Sequence, residues 1–295
     1  MNTDQEREDG LKPLAPGLYL VATPIGNLED ITLRALRVLR FVDKIACEDT
    51  RQTQKLLNHF DIRTPTISYH MHNEAGRADE LAIQLKAGAR IAVVSDAGTP
   101  GIADPGGQIA AVAIAAGVPV FPVPGANAAI SALIASGLAG EVFTFHGFLP
   151  AKEGQRRTAL EALRAGKNAG TLIFYEAPHR ILDTLADVAA IFGAAQHVVV
   201  ARELTKLHEE FLRGAVSEVR GTLAGRASVR GEIVLLFAPV AETAREGQPS
   251  SIAAEVRELM KTQGLDEKDA LKQVARARGM GKSEAYRELQ RGRGK

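Results

Sequence analysis

Up to Pro239 the chain alternates short apolar runs with longer stretches of helical spacing, and this rhythm constrains its fold more than any other feature. Gly17–Thr23 (GLYLVAT) is β-branched, is bounded by Gly and Pro, and reads as a buried strand. Asp30 is placed to cap a helix reaching about Val42, with Leu33, Leu36 and Leu39 at helical spacing. Strands are predicted at Lys44–Cys47 and Arg90–Asp96, and extended chain at Pro119–Pro122 and Val142–Phe148. Helices are predicted at Thr50–Phe60, Asn73–Lys86, Gly106–Ala116 and Ala126–Ser136. A second series follows, with helices at Glu153–Ala165, Pro178–Phe192 (Pro near the first turn) and Val216–Leu223. Its strands are Thr171–Tyr175, His197–Ala201, Glu209–Arg213 and Glu232–Phe237. Such alternation makes an α/β protein with mainly parallel, buried sheets.

A break at Leu149–Gly154 (LPAKEG) divides the series into two α/β domains, 17–149 and 150–240, after a flexible N-terminal stretch, 1–16. The chain's 295 residues suffice for two such cores. Beyond a QPSS linker, a small helical module at 250–295 is expected, with helices at Ile252–Gln263, Glu267–Arg278 and Ser283–Gln290. The formal net charge is +1, which by itself gives no nucleic-acid signature. That value hides an asymmetry. Residues 241–295 hold 12 Lys/Arg against 9 Asp/Glu, and Lys268–Lys295 holds 9 against 3. A slightly acidic body carries a basic tail.

The polar N-terminus has no apolar core of a signal peptide, and no run of 18 apolar residues exists, so no membrane segment is expected. The single cysteine, Cys47, excludes an intramolecular disulfide and reads as a buried strand residue. Seven scattered His residues offer no metal-ligand spacing. These features fit a cytoplasmic protein with no metal.

Ligands of open α/β sheets bind beyond the carboxyl ends of strands. Three loops there combine Gly or Pro with small residues: Thr23–Asn27 (TPIGN), Ser95–Gly107 (SDAGTPGIADPGG) and Pro122–Ala128 (PVPGANA). Each allows a ligand close to the backbone. None matches the dinucleotide or P-loop fingerprint.

These loops sit within a longer set of motifs. Leu18–Arg51, Val93–Gly106 (VVSDAGTPGIADPG), Phe148–Lys152 (FLPAK), Tyr175–Arg180 (YEAPHR), Arg202–Glu209 (RELTKLHE) and Arg230–Leu236 (RGEIVLL) occur in that order. Together they resemble the ribosomal RNA small subunit methyltransferase I family, within the tetrapyrrole-methylase-like superfamily (class III methyltransferases). The resemblance covers about residues 17–238 and extends weakly to the helical module. It implies two α/β domains with S-adenosylmethionine in the cleft between them. It implies 2′-O-ribose methylation of a decoding-centre cytidine of 16S rRNA, in the small ribosomal subunit or its assembly intermediate, by a bacterial cytoplasmic homodimer. Its implied cofactor contacts are Thr23, Pro24, Asp96, Ala97, Gly98, Thr99, Asn127 and Ala128 from the first domain, with Tyr175, Gly231 and Glu232 from the second. At Ala126-Asn127 family members often have Pro followed by Ser or Cys, although Asn both donates and accepts.

Methyl transfer from a sulfonium is an in-line displacement that needs alignment and, for a hydroxyl acceptor, removal of a proton. The acids and the histidine of the motifs are candidate bases: Glu48, Asp49, Glu176, His179 and Glu203. Each equally fits a helix cap or a partner of a nearby Arg, so no single base is assigned. Arg51, Arg180, Arg202 and Lys206 suit RNA phosphates or internal salt bridges. In the tail, Arg276, Arg278, Lys282, Arg287, Arg291 and Arg293 suit an RNA backbone. Tyr69, His70 and His72 lie in a loop placed to stack a flipped base or to pack. Two other readings stay open: a tetrapyrrole methylase of the same fold, and a non-catalytic nucleic-acid-binding protein built on the tail.

Overall fold

The structure is a computed structural model that describes residues 12–70, 74–166, 170–239, 252–278, 280–281, 284–287 and 289. Residues up to Pro239 form one compact unit and residues from Val240 a second.

In the first unit, β1 (Gly17–Val21), β2 (Lys44–Cys47), β3 (Thr66–Ser68), β4 (Arg90–Val94) and β5 (Val120–Val123) form a parallel sheet in the order β3-β2-β4-β1-β5. Between them run α1 (Leu33–Phe41), α2 (Thr50–His59), α3 (Glu74–Lys86) and α4 (Gly107–Ala115), and α5 (Ala128–Ser136) follows. Alternate side chains of the strands serve opposite faces. Tyr19, Ile45 and Ala92 pack with α1 and α2, while Leu18, Ala46 and Ile91 pack with α3 and α4. Both faces are covered, which is why the strands read as unbroken apolar runs. Cys47 is fully buried in β2.

The strand order brings the site together. β4, β1 and β5 are neighbours, so the three small-residue loops that follow them emerge side by side at one sheet edge.

A second sheet, β6-β7-β10-β8-β9, comprises β6 (Phe143–Phe148), β7 (Thr171–Glu176), β8 (His197–Arg202), β9 (Glu210–Ala215) and β10 (Ile233–Phe237). Here the expectation of mainly parallel sheets is corrected. Only β6 and β7 are parallel; the other three pairings are antiparallel. The seven residues between β8 and β9 are too few for a parallel crossover, which takes a dozen or more. α6 (Glu153–Ala165), α7 (Ile181–Phe192) and α8 (Val216–Ala224) cover one face through Leu160, Leu185, Val188 and Val219.

The other face is covered by α5 of the first half. Ala129, Ala132 and Leu133 meet Ile173, Val199, Val234 and Leu236. Asn127 caps the helix by accepting from the Ile130 N–H at 3.1 Å. Arg213 of β9 donates to the terminal carbonyls of Ala135 and Ser136, at 2.6 and 3.3 Å, where a cation also suits the helix dipole. The Asn of the departing PVPGANA motif therefore has a structural task.

Smaller corrections have local causes. Thr32, rather than Asp30, caps α1 by accepting from Ala35 N–H, because Asn27 starts a separate short turn at Leu28–Asp30. α7 begins at Ile181, since Ala177–Arg180 closes a turn after Pro178. β3 was not anticipated, being three residues on the sheet edge.

The second unit contains α9 (Ile252–Gln263) and α10 (Glu267–Ala277), and residues 284–287 are helical. Ile252, Val256, Leu271, Val274, Ala285 and Leu289 form its core. Asp266 caps α10, and Arg278 pairs with Glu255 at 2.8 Å. Arg276 and Arg287 are exposed. Lys282, Ser283, Arg291 and Arg293 lie outside the described residues. No described helix is long and apolar enough to cross a membrane.

Candidate active site

A cleft of about 460 Å³ opens between the two sheets. The first half contributes Ile25, Glu48, Asp96–Thr99, Ile102–Asp104, Asn127 and Ala128. The second contributes Phe148, Tyr175–Pro178, Leu204 and Glu232–Val234. The size is that of a small-molecule site.

The loops are laced to each other before any ligand arrives. Thr23 and Gly98 exchange backbone hydrogen bonds at 2.9 and 3.0 Å, and the Thr23 hydroxyl donates to the Ser95 carbonyl at 3.2 Å. The Thr99 hydroxyl donates to Ala126 O at 3.1 Å, and the Asn127 amide donates back to that hydroxyl at 3.4 Å. Gly98 has φ +82°, so the chain can turn here without a Cβ penalty. Thr23 is buried and does not line the cleft, and neither does Pro24. Their loop braces the wall that Asp96–Thr99 presents.

The segment from Pro100 to Gly106 is bent through left-handed Gly101 and Ala103 (φ +81° and +62°). Glu74 holds it in place. One carboxylate oxygen accepts from the Gly106 N–H at 3.2 Å and from the Tyr69 hydroxyl at 2.8 Å. Tyr69 is buried in this task, the packed one of its two expected places; His70 is half-buried, and His72 lies outside the described residues. The bend delivers Asp104 into the cleft. Burial raises its carboxyl to a pKa of about 6, reinforced by the negative charges of Glu48, Asp96 and Glu232. Glu48 is also raised, by burial first and then by Asp96. Asp96 accepts from the Asp49 N–H at 3.0 Å.

The candidate bases separate on these facts. Asp49 caps α2 and takes a two-pronged bond from Arg51, at 3.1 and 2.8 Å, which holds its carboxyl down at about 2. Glu203 is held low by Lys206 at 2.9 Å, and also accepts from Glu232 N–H. Glu176 touches the cleft but is fully engaged by Ala177 N–H, the Thr184 hydroxyl and Arg180, at 2.6–2.8 Å. His179 is exposed and off the cleft wall. Asp49, Glu203 and Glu176 are thus held by neighbouring groups, Glu176 while also lining the cleft, and His179 lies off its wall. Glu48 stays in the cleft, and Asp104 joins it. Asp104 was passed over because an Asp-Pro pair in a Gly-rich loop reads as a turn.

The expected phosphate-binding residues are engaged as well. Arg180 bonds Glu176, Arg202 bonds Glu210 at 3.1 Å, and Lys206 bridges Glu203 and Glu232. Arg51 pairs with Asp49 while its side chain stays 87% exposed.

The RELTK turn between β8 and β9 meets the first half closely. Gly26 has no room for a Cβ, which would lie 2.4 Å from Lys206 Cγ. Gly231, at φ +89°, would place one 2.3 Å from Glu203. Gly231 is thus a packing position behind the wall, and the adjoining Glu232 faces the cleft. Glu203 and Thr205 are left-handed around cleft-lining Leu204, a conformation costing about 1–3 kcal/mol each.

Residues 17–220 match the model of the Tetrapyrrole (Corrin/Porphyrin) Methylases. The chain is 50% identical to a ribosomal RNA small subunit methyltransferase I from Halalkalibacterium halodurans, covering 88% of this chain and 89% of that protein. The chain belongs to this methyltransferase family. A second member, from Synechocystis sp., is 48% identical over 88% of this chain and 91% of its own. The fold also matches a solved uroporphyrin-III C-methyltransferase from Thermus thermophilus complexed with S-adenyl homocysteine. That TM-score is 0.51 at 19% identity, covering 75% of this chain and 97% of the other. In this family member the Ser95–Gly107 and Pro122–Ala128 loops contribute to one cleft wall rather than standing singly.

Proposed function

We propose that this chain transfers the methyl of S-adenosylmethionine to a ribose 2′-hydroxyl of a cytidine in small-subunit rRNA. The observation that carries this reading is a cleft that joins an apolar slot to a cluster of carboxylates. Ile25, Ile102, Leu204, Ile233 and Val234 suit a flat heterocycle. Asp96, Asp104, Glu48 and Glu232 suit a ligand with cationic centres and sugar hydroxyls. The donor supplies an electrophilic methyl on a sulfonium when bound. The Asp96–Thr99 backbone, Asn127, Ala128 and Tyr175 hold it, and the apolar wall excludes water. Tyr175 is itself fixed by edge-on contacts with Phe145 and Phe148, at 4.8 and 5.6 Å.

The acceptor hydroxyl must surrender a proton. Asp104 takes it on a carboxylate oxygen, because its pKa near 6 leaves it ionised yet basic at neutral pH. Glu48 keeps that value high through its charge. Alignment of hydroxyl and methyl supplies the larger share of the acceleration, up to roughly 7–11 kcal/mol. The homodimer expected from the motifs has a physical motive in Ile130 and Ile134, exposed one turn apart on α5.

Tritium from labelled donor is expected in 16S rRNA of isolated 30S subunits, or of an assembly intermediate, in an alkali-resistant dinucleotide at a cytidine. Label on a base, or on a porphyrinoid instead, overturns the reading and favours the tetrapyrrole alternative. Loss of all activity with residues 250–295, with no donor binding by the remainder, would favour the binding-protein alternative.

Donor binding is expected to depend on pH. The pKa of Asp104 is raised above its unfolded value, from 3.8 to about 6. The ligand-free fold therefore gains from the protonated form below 3.8 and loses that gain as pH rises through about 6. A bound cation reverses the preference. S-adenosylmethionine is expected to raise the melting temperature more at pH 7.5 than at pH 5, and its uncharged-sulfur product S-adenosylhomocysteine less so. Equal shifts at both pH values would remove Asp104 from the donor's surroundings.

A further inference from the structure

A second hollow, of about 420 Å³, lies along the flank of α2. Its walls are Thr50, Arg51, Gln54, Lys55, Asn58 and Thr66, all polar and none acidic. The helix itself, TRQTQKLLNH, contains no Asp or Glu. The Lys55 ammonium bonds only a neutral group among its described contacts, the Gln52 amide at 2.8 Å, and so keeps its charge for an outside partner. Arg51 gives Asp49 two of its five N–H donors' worth of contact and remains largely exposed. The Gln54 amide donates to Asn58 at 2.8 Å, which aligns a ladder of amides one turn apart.

The hollow starts two residues along the chain from the cleft wall. Glu48 lines the cleft, Thr50 lines the groove, and Asp49 between them is tied to cleft-lining Asp96. From there the groove follows α2, about 15 Å of helix at ten residues, towards the start of β3. The cleft cannot hold phosphates, because its carboxylates repel them. A polyanion that offers one ribose to the cleft must be gripped beside it.

We infer that the α2 groove, through Arg51, Gln54, Lys55 and Asn58, holds the phosphate backbone of the RNA strand next to the target ribose. This rests on the rRNA reading proposed above. The donors are sequence-neutral, so the groove sets register and affinity and reads no base.

The test uses the full chain with a Gln54→Glu/Lys55→Glu double substitution and a Lys86→Glu control. Lys86 ends α3, which covers the opposite face of the sheet. The double variant is expected to raise KM for 30S subunits by about tenfold or more and to flatten the salt dependence of RNA binding by roughly one phosphate contact, log–log slope ~0.7. Its kcat and calorimetric affinity for S-adenosylmethionine are expected to stay within about twofold, which shows that the fold and cleft are intact. Retention of protein-free 16S rRNA on filters is expected to fall in parallel. Unchanged KM and salt slope overturn the inference, as does an equal effect of Lys86→Glu. A loss confined to intact subunits also overturns it, since that would assign the groove to an acidic ribosomal protein. If the wild-type chain labels no rRNA, the functional reading itself fails and the inference falls with it.

Discussion

An Asp104→Asn variant is expected to lose about 10²–10⁴ in kcat for methyl transfer while keeping its S-adenosylmethionine affinity within about tenfold. Asn has nearly the shape of Asp and can still accept one hydrogen bond, but it takes no proton at neutral pH. The geometry that delivers the side chain should survive, because the bend is held by backbone contacts: Gly101 N–H to Pro105 O at 3.1 Å and Gly106 N–H to Glu74. The pH profile carries the second half of the expectation. Wild-type kcat/KM should rise through a limb near pH 6, the value to which burial and Glu48 push the Asp104 carboxyl in the free enzyme. The residual activity of the variant should lack that limb. Undiminished kcat would assign Asp104 to donor binding alone, and persistence of the limb would move the titration to Glu48.

Removal of Glu176 is expected to act in the opposite way, through stability. Its side chain is fully buried and receives the Thr184 hydroxyl, the Ala177 N–H and the Arg180 guanidinium. Glu176→Ala leaves Arg180, itself only 17% exposed, without a counter-charge. Breaking such a buried pair costs about 3–5 kcal/mol. Urea unfolding should show the loss as a lower midpoint at unchanged slope. Glu176→Gln should recover part of it, because an amide oxygen still accepts from Thr184. A variant of wild-type stability that is catalytically dead would return Glu176 to the list of bases.

The two outcomes mark what the residues disclose on their own. The Ser95–Thr99 loop was legible because β-branched Ile91, Val93 and Val94 lead into Gly98, and a strand that stops at Gly in an α/β protein points to a ligand edge. The neighbourhood of Asp104 was not. Its raised pKa comes first from burial and is reinforced by Glu48 and Glu232, which approach from segments far apart in the chain, and no local pattern records that meeting. The charged motifs misled for the converse reason. CEDTR and RELTK place acid and base two or three residues apart, so each motif can satisfy itself, as Asp49 with Arg51 and Glu203 with Lys206 do. The antiparallel run of the second sheet was hidden by apolar strands that look alike in either direction. The short spacing from Arg202 to Glu210 was the available sign.

The placement of α5 alters where this molecule can be cut. By chain order the helix belongs with the first five strands, yet its buried side chains complete the other sheet. A fragment begun at the LPAKEG break would lose β6 as well and carry four strands with one face bare, including Ile173, Val199 and Leu236, and a surface of that kind drives aggregation. Chimeras that trade halves between relatives at that break would part a helix from the surface it was shaped against. A joint that keeps α5 with the sheet it covers lies earlier in the chain, between β5 and α5. A ribosome making this chain must therefore release α5 and hold its apolar face in reserve until some hundred further residues have emerged to receive it.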